Sequence, residues 1–194
     1  MLSSTLTAEM IETELHASRL GCPDCDGPLA PWGWARPRTI RQLDGSTTIR
    51  PRRAHCHACA HTHVILPACS VPRRRDSAEV IGAALLAHAN GDGHRTIAAR
   101  LDRPPGTVRG WLRTFRRRAG QLTASALRWA HAIAPVRHVS LPHRQPSAWT
   151  AVNAIGEATR VAKLELGLTA SPWEVAVVLT GGLLNGTTRQ PTGL

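Results

Sequence analysis

The chain of 194 residues has no tyrosine, one phenylalanine (Phe115) and a single lysine (Lys163). Six tryptophans make up nearly all of its aromatic surface. Several small modules are therefore a better expectation than one large core, although 42% hydrophobic residues suffice to build cores. No run of 18 apolar residues occurs, which excludes a membrane-spanning helix. Residues 1–20 carry three glutamates against one arginine and lack the basic-then-apolar order of a secretion signal. Grouped carboxylates are missing as well. The thirteen acids are scattered, and the tail offers only Glu157, Glu165 and Glu174. Nucleases and transposases need clustered carboxylates to hold two metal ions. With no nucleophile–base pair and no phosphate-binding loop, the chain is not expected to be an enzyme. No tandem repeat of fixed period is present either.

Scarce lysine leaves arginine as 23 of the 24 basic residues. Arginine grips phosphate or guanine bidentately, but a GC-rich genome also writes arginine codons by default. Placement is the better guide. Of the net charge of +11, most sits in the middle of the chain, with nine arginines against three aspartates in residues 21–75 and eight against four acids in residues 76–120. That concentration points to a polyanionic partner.

What the sequence does have is a pair of cysteine knuckles. Cys22-Pro23-Asp24-Cys25 and Cys56-His57-Ala58-Cys59 stand 30 residues apart. Two such knuckles can place four thiolates around one tetrahedral structural Zn²⁺ at about 2.3 Å. A thioredoxin-like redox pair would not need the second knuckle, and disulfides would suit a secreted chain. Cys22, Cys25, Cys56 and Cys59 are favoured by spacing, yet His55, His57, His61 and His63 crowd the second knuckle and any of them could replace a cysteine. Cys69 has no partner by spacing and reads as a small buried hydrophobe. Between the knuckles, Trp32, Trp34 and Ile40 alternate with small or polar residues as on a half-buried strand, and Asp44-Gly45 marks a hairpin turn before residues 46–50. A third strand follows at residues 62–66. This is the layout of a zinc ribbon, covering residues 21–70. A short helix over residues 7–20, capped by Thr7 and stopped by Gly21, is expected to pack against it.

A basic linker at residues 71–75, with Arg73, Arg74 and Arg75, leads to a trihelical unit at residues 76–120. Asp76 or Ser77 can cap its first helix, which places Val80, Ile81, Ala84, Leu85 and His88 on one side. Asn90-Gly91-Asp92-Gly93 ends it, a second helix spans residues 94–101, and a third spans 107–118. Ile97, Leu101, Val108, Trp111 and Leu112 supply the inner apolar set of a helix-turn-helix, with Ala98 where the helices approach. Asp102 stands where such turns often carry glycine, and Gly110 weakens the third helix by about 1 kcal/mol. Position then assigns roles. Arg109 and Arg113 lie one turn into the third helix and can reach guanine. His94, Arg95, Thr96 and Thr107 near helix starts, together with Arg116, Arg117, Arg118 and Arg73 to Arg75, are the candidate phosphate contacts.

Short helix, four-cysteine ribbon, basic linker and helix-turn-helix, in that order, resemble the N-terminal region of bacterial insertion-sequence transposases. Closer still is the resemblance to small stand-alone helix-turn-helix proteins that accompany integrase-type transposase genes. The phrases carrying it are Pro31-Trp32-Gly33-Trp34-Ala35-Arg36, Ile49-Arg50-Pro51-Arg52-Arg53-Ala54, Ala78-Glu79-Val80-Ile81-Gly82-Ala83-Ala84-Leu85 and Ile97-Ala98-Ala99-Arg100-Leu101, within residues 8–120. The resemblance implies a DNA-binding accessory or regulator of a mobile element, with an integrase-type transposase as the candidate protein partner.

Residues 121–194 read as a helical region. Residues 121–133 could extend the third helix, prolines break residues 134–146, and residues 147–166 form a long helix. Ser171-Pro172-Trp173-Glu174 is a capping box that starts an apolar helix over residues 174–184. That helix must be buried, against its neighbour or in a homodimer. The expected fold is thus mainly α with a small β zinc ribbon. The expected function is sequence-specific binding of double-stranded DNA, without membrane association, by a cytoplasmic and nucleoid-associated protein. The alternatives are an adaptor that recruits a transposase or polymerase through the ribbon and apolar tail, and an RNA-binding ribbon.

Overall fold

Strand-forming segments fill the first third of the chain and helices the rest, in a computed structural model that describes residues 2–135, 147–180 and 184. The first part contains β1 (Leu2–Ser4), α1 (Ala8–His16), β2 (Leu29–Trp34), β3 (Arg38–Arg41), β4 (Ser46–Ile49), β5 (Arg52–Cys56) and β6 (Thr62–Pro67). The second contains α2 (Ala78–Ala89), α3 (His94–Arg100), α4 (Pro105–Ile133), α5 (Ser147–Leu166) and α6 (Pro172–Leu179). No described helix is long and apolar enough to cross a membrane.

Thr7 caps α1 by accepting from the Met10 amide. The helix closes earlier than Gly21, because Ser18 takes the left-handed conformation (φ 54°). The Ser18 and Arg19 amides then reach back to the Leu15 and Glu14 carbonyls in a Schellman turn. Ile11 and Leu15 pack on Leu29, Ala54 and Ile65, so α1 lies against the ribbon as expected. Its main sheet has the order β1-β6-β5-β2. The parallel pairing of β1 with β6, Leu2 opposite Ile65, comes from a strand too short to show an alternation.

The run expected as one hairpin arm is broken in two. Gly33 (φ 95°) sits in a bulge, since two residues between Pro31 and Trp34 face one between Ala54 and Arg52. One extra residue reverses the facing of everything after it. Trp32 therefore stacks on His55 at 4.9 Å, whereas Trp34 lies on the other face under Arg52 at 4.8 Å. Both indoles are exposed, at 53% and 44%, in contrast to the half-buried alternation read from the sequence. Past the bulge, β3 and β4 form a separate two-stranded sheet around Asp44-Gly45, with the Gln42 amide bonded to the Gly45 carbonyl.

Ser77, rather than Asp76, caps α2 by accepting from Val80. α2 is buried on most of its surface through Ala78, Val80, Ile81, Gly82, Ala84 and Leu85, and it contacts α3, α4, α5 and α6. The third helix of the trihelical unit does continue, giving α4 a length of 29 residues. α5 spans the expected residues, and α6 begins at a capping box in which Ser171 and Glu174 each bond the other's amide. α6 ends at Leu179, and residues 181–183 of the helix expected there lie outside the described residues, as does most of the proline-broken stretch.

Candidate metal centre and nucleic-acid interface

Each knuckle folds the same way for the same local reason. The residue after its second cysteine, Asp26 or Ala60, adopts a left-handed φ of 57° or 58°. The first cysteine's amide then bonds a carbonyl five residues on, Cys22 to Gly27 at 2.8 Å and Cys56 to His61 at 2.9 Å. A side chain at Gly27 would meet the Ala58 Cβ at 2.9 Å and the Cys56 Sγ at 3.3 Å, so glycine allows the two knuckles to close on each other.

The four sulfurs lie within 4.8 Å of one another, with Cys22–Cys59 at 3.6 Å and Cys25–Cys56 at 3.5 Å. A tetrahedral ion with metal–sulfur bonds of about 2.3 Å requires sulfur–sulfur edges of about 3.8 Å. The donor set fits one ion. The Cys59 amide bonds the Cys56 sulfur and pulls that thiol down to about 7. At Cys59 the His61 amide acts in the same direction, but burial and the crowded thiols of Cys25, Cys22 and Cys56 outweigh it and hold the thiol up at about 12. Four thiols this close ionise together only around a cation.

Of the four nearby histidines, only His63 brings a ring nitrogen into a ligand cluster among the described residues. Its Nε2 is 3.3 Å from Cys22 Sγ, and Cys22, Asp24 and His63 form a second trio that shares Cys22 with the first. His61 is taken up by Asp24 at 2.6 Å. Cys69 stands apart from both clusters, its thiol pushed up by burial and by the Glu174 carboxylate.

The helix-turn-helix is built on Ile97, Ala98, Val108, Trp111 and Leu112, all buried, with Leu101 partly so. Asp102 takes a left-handed φ of 50°, and the Asp102 and Arg103 amides bond the Ala99 and Ala98 carbonyls. That accounts for its standing at a glycine position, since aspartate tolerates this conformation better than most residues. Arg109, Arg113, Arg116 and Arg117 are exposed on α4, and none pairs with a described carboxylate. Arg95 and Thr96 are also exposed, whereas His94, Thr107 and Arg118 are partly buried.

Sequence reasoning missed a seam between ribbon and helices. Asp76, 3% exposed, accepts from Arg41 of β3 and from Arg103 of the α3–α4 turn, both at 2.6 Å. Arg103 also donates to the Gln42 carbonyl at 3.1 Å. The Arg41 amide bonds the Arg75 carbonyl, and the Ser77 amide bonds the Arg41 carbonyl. Val71 and Pro72 are buried, so the expected linker is a packed turn, with Arg73 at φ 63° and only its arginines reaching outward. The signal available was an aspartate beside a helix start, which local rules assign to capping.

Two family models match the chain. One, a domain of unknown function (DUF6431), covers residues 22–103, and the other, described as a homeodomain-like domain, covers residues 76–132. No curated protein and no solved structure matches it. The first match runs from the first knuckle to Arg103, across the Asp76 seam. The second supports DNA binding by the helical unit.

Proposed function

We propose that the chain binds double-stranded DNA in a sequence-specific way, with α4 reading bases in the major groove and the ribbon held by one structural Zn²⁺. The observation that carries this reading is the outer face of α4. Arg109, Arg113 and Arg116 recur at helical spacing on one exposed side of α4, unpaired among the described residues, while Val108, Trp111 and Leu112 are buried. A row of like charges held without counter-charges suits a polyanion. In this reading Arg109 and Arg113 read bases, and Arg116 and Arg117, further along α4, hold phosphates together with Arg95 of α3. Zinc is the ion that suits four cysteines in this geometry, and its part is to hold the knuckles together.

The apolar faces of α5 and α6 are covered within the chain by α2 and α4, which supports DNA binding over an adaptor or a dimer built on those helices. The order of the modules, and their resemblance to transposase N-terminal regions, support a non-catalytic accessory or regulatory role in a mobile element. Selection of bound genomic fragments, followed by titration on the selected site, tests the reading. Arg109→Ala is expected to lose about 1–3 kcal/mol on that site and to relax the sequence preference. Arg117→Ala, the comparison within the same experiment, should weaken all duplexes alike. An unchanged preference in Arg109→Ala removes α4 as the reading helix.

A further inference from the structure

We infer that the β3–β4 hairpin and the 73–75 turn form a second DNA-contacting face, a cleft that grips the phosphate backbone beside the bases read by α4. The inference rests on the reading of α4 and extends the interface into the part of the chain that holds the metal knuckles.

The cleft has a volume of about 620 Å³ and is lined by Arg38, Thr39 and Arg41 from the hairpin side and Arg73, Arg74 and Arg75 from the turn. Five guanidinium groups thus converge from two elements 32 or more residues apart in sequence, and no carboxylate lines the cleft. Asp76, next in sequence to Arg75, is already shared between Arg41 and Arg103. The side chains of Arg38 and Arg75 engage no described group, and Arg75 is exposed. The charge on Arg38 and Arg75 is the part that an incoming anion can answer. The residue type suits phosphate, because a guanidinium offers paired donors to two phosphate oxygens.

Its place on the molecule favours DNA backbone over a free anion. The cleft is tied to the start of α4 by a short chain of bonds. The Arg75 carbonyl accepts from the Arg41 amide at 2.7 Å, the Arg41 guanidinium bonds Asp76, and Asp76 bonds Arg103. Arg103 stands two residues before Pro105, where α4 begins. The cleft is thereby tied to the element that carries Arg109 and Arg113, and the proposal is that one duplex spans both.

The test uses the full zinc-loaded chain, the duplex selected by the wild type, and the double variant Arg38→Ala/Arg75→Ala. Two lost phosphate contacts should flatten the log–log salt dependence by about two units. The variant should keep the selected base preference and lose hydroxyl-radical protection on one flank of the site. Arg38→Lys/Arg75→Lys should restore most of the salt dependence, because a phosphate contact needs charge rather than a base-specific fork. Zinc content and thermal melting equal to wild type would show that the alanine variant is folded. A folded double variant with the wild-type salt slope and both flanks protected overturns the cleft, while an altered preference in Arg109→Ala leaves the α4 reading standing. A double variant that loses affinity for RNA but not for duplex DNA also overturns it. If the wild type shows no salt-dependent binding to duplex DNA at all, the reading of α4 falls and the cleft falls with it.

Discussion

Among the described residues, α1 and the ribbon together bury seven apolar side chains in one cluster, and two of them, Cys22 and Cys56, belong to the four-cysteine cluster. The cluster around α2 and α4 buries 27 described residues, from Val71 to Leu184, with Trp111 and Phe115 the largest of them. At roughly 25 cal/mol per Å² of apolar surface, five aliphatic or alanine side chains cannot offset the ordering of seventy residues. The larger cluster is of the size on which small domains stand alone. The ribbon's fold is therefore expected to rest on the ion that its four cysteines can hold, and the helical fold on its own side chains. Geometry agrees with this division. In the ribbon the left-handed non-glycine residues Asp26 and Ala60 each directly follow a knuckle's second cysteine, where an ion held by the cysteines would fix them.

The sharpest way to break the comparison is to remove the ion. Structural zinc contributes about 10–16 kcal/mol of apparent free energy in small zinc-finger peptides, so chelation is the largest effect expected. Amide protection should vanish from β2, β5 and β6 and persist in α2, α4 and α5. Hydrogen exchange before and after chelation reads both halves at once. Ribbon amides that stay protected in metal-free protein would end the claim that the metal holds it. Lower pH should act in the same direction, because protons compete with the ion for the thiolates.

A smaller effect is expected at the seam. Asp76→Ala removes the carboxylate shared by Arg41 and Arg103, whose side chains are 41% and 11% exposed. Breaking a buried pair costs about 3–5 kcal/mol, but Arg41 can return to water, so about 2–3 kcal/mol is the expectation. The loss should appear as reduced protection of β3 and β4 with zinc content unchanged. If the hairpin stays protected, the two halves are joined by something other than this carboxylate.

How much of this was legible in the sequence follows from the range of each interaction. The knuckles, the Asp44-Gly45 turn, the Thr7 and Ser77 caps and the Ser171–Glu174 box are all set within six residues, and local chemistry named each of them. Inner positions of the helix-turn-helix were legible because Ile97 and Leu101 in one helix, and Val108, Trp111 and Leu112 in the next, repeat at helical spacing. Asp76 was misread because its partners lie 35 and 27 residues away, while its neighbour Ser77 offered a cap at no distance. The Gly33 bulge hid behind an unbroken alternation of tryptophan with small residues, so the facing of Trp34 came out reversed. Among the described residues, where α5 and α6 dock could not be read, since their apolar stripes specify burial and not the surface that supplies it.

The last and smallest effect expected lies within the helical half and tests whether its core is itself layered. α6 rests on α2 where the Trp173 indole covers Gly82, and a Cβ built at Gly82 would meet the ring at 2.1 to 2.4 Å. No rotamer change of alanine can relieve that contact, so either the indole or the whole of α6 must move. Around it, the Ser171 hydroxyl bonds Glu79 of α2, and Thr159 of α5 donates to the Pro172 carbonyl at 3.3 Å. A shift of α6 would strain these as well. Overpacking of this kind costs about 1–3 kcal/mol. Alanine's better helix propensity returns up to about 1 kcal/mol of it within α2. Gly82→Ala should therefore lower thermal stability modestly, strip protection from α6, and leave α3, the first turns of α4, zinc content and DNA affinity as they were. Should DNA affinity fall in step with α6 protection, the C-terminal helices are part of what shapes the reading surface, and the helical half is one cooperative unit rather than a core with a cover.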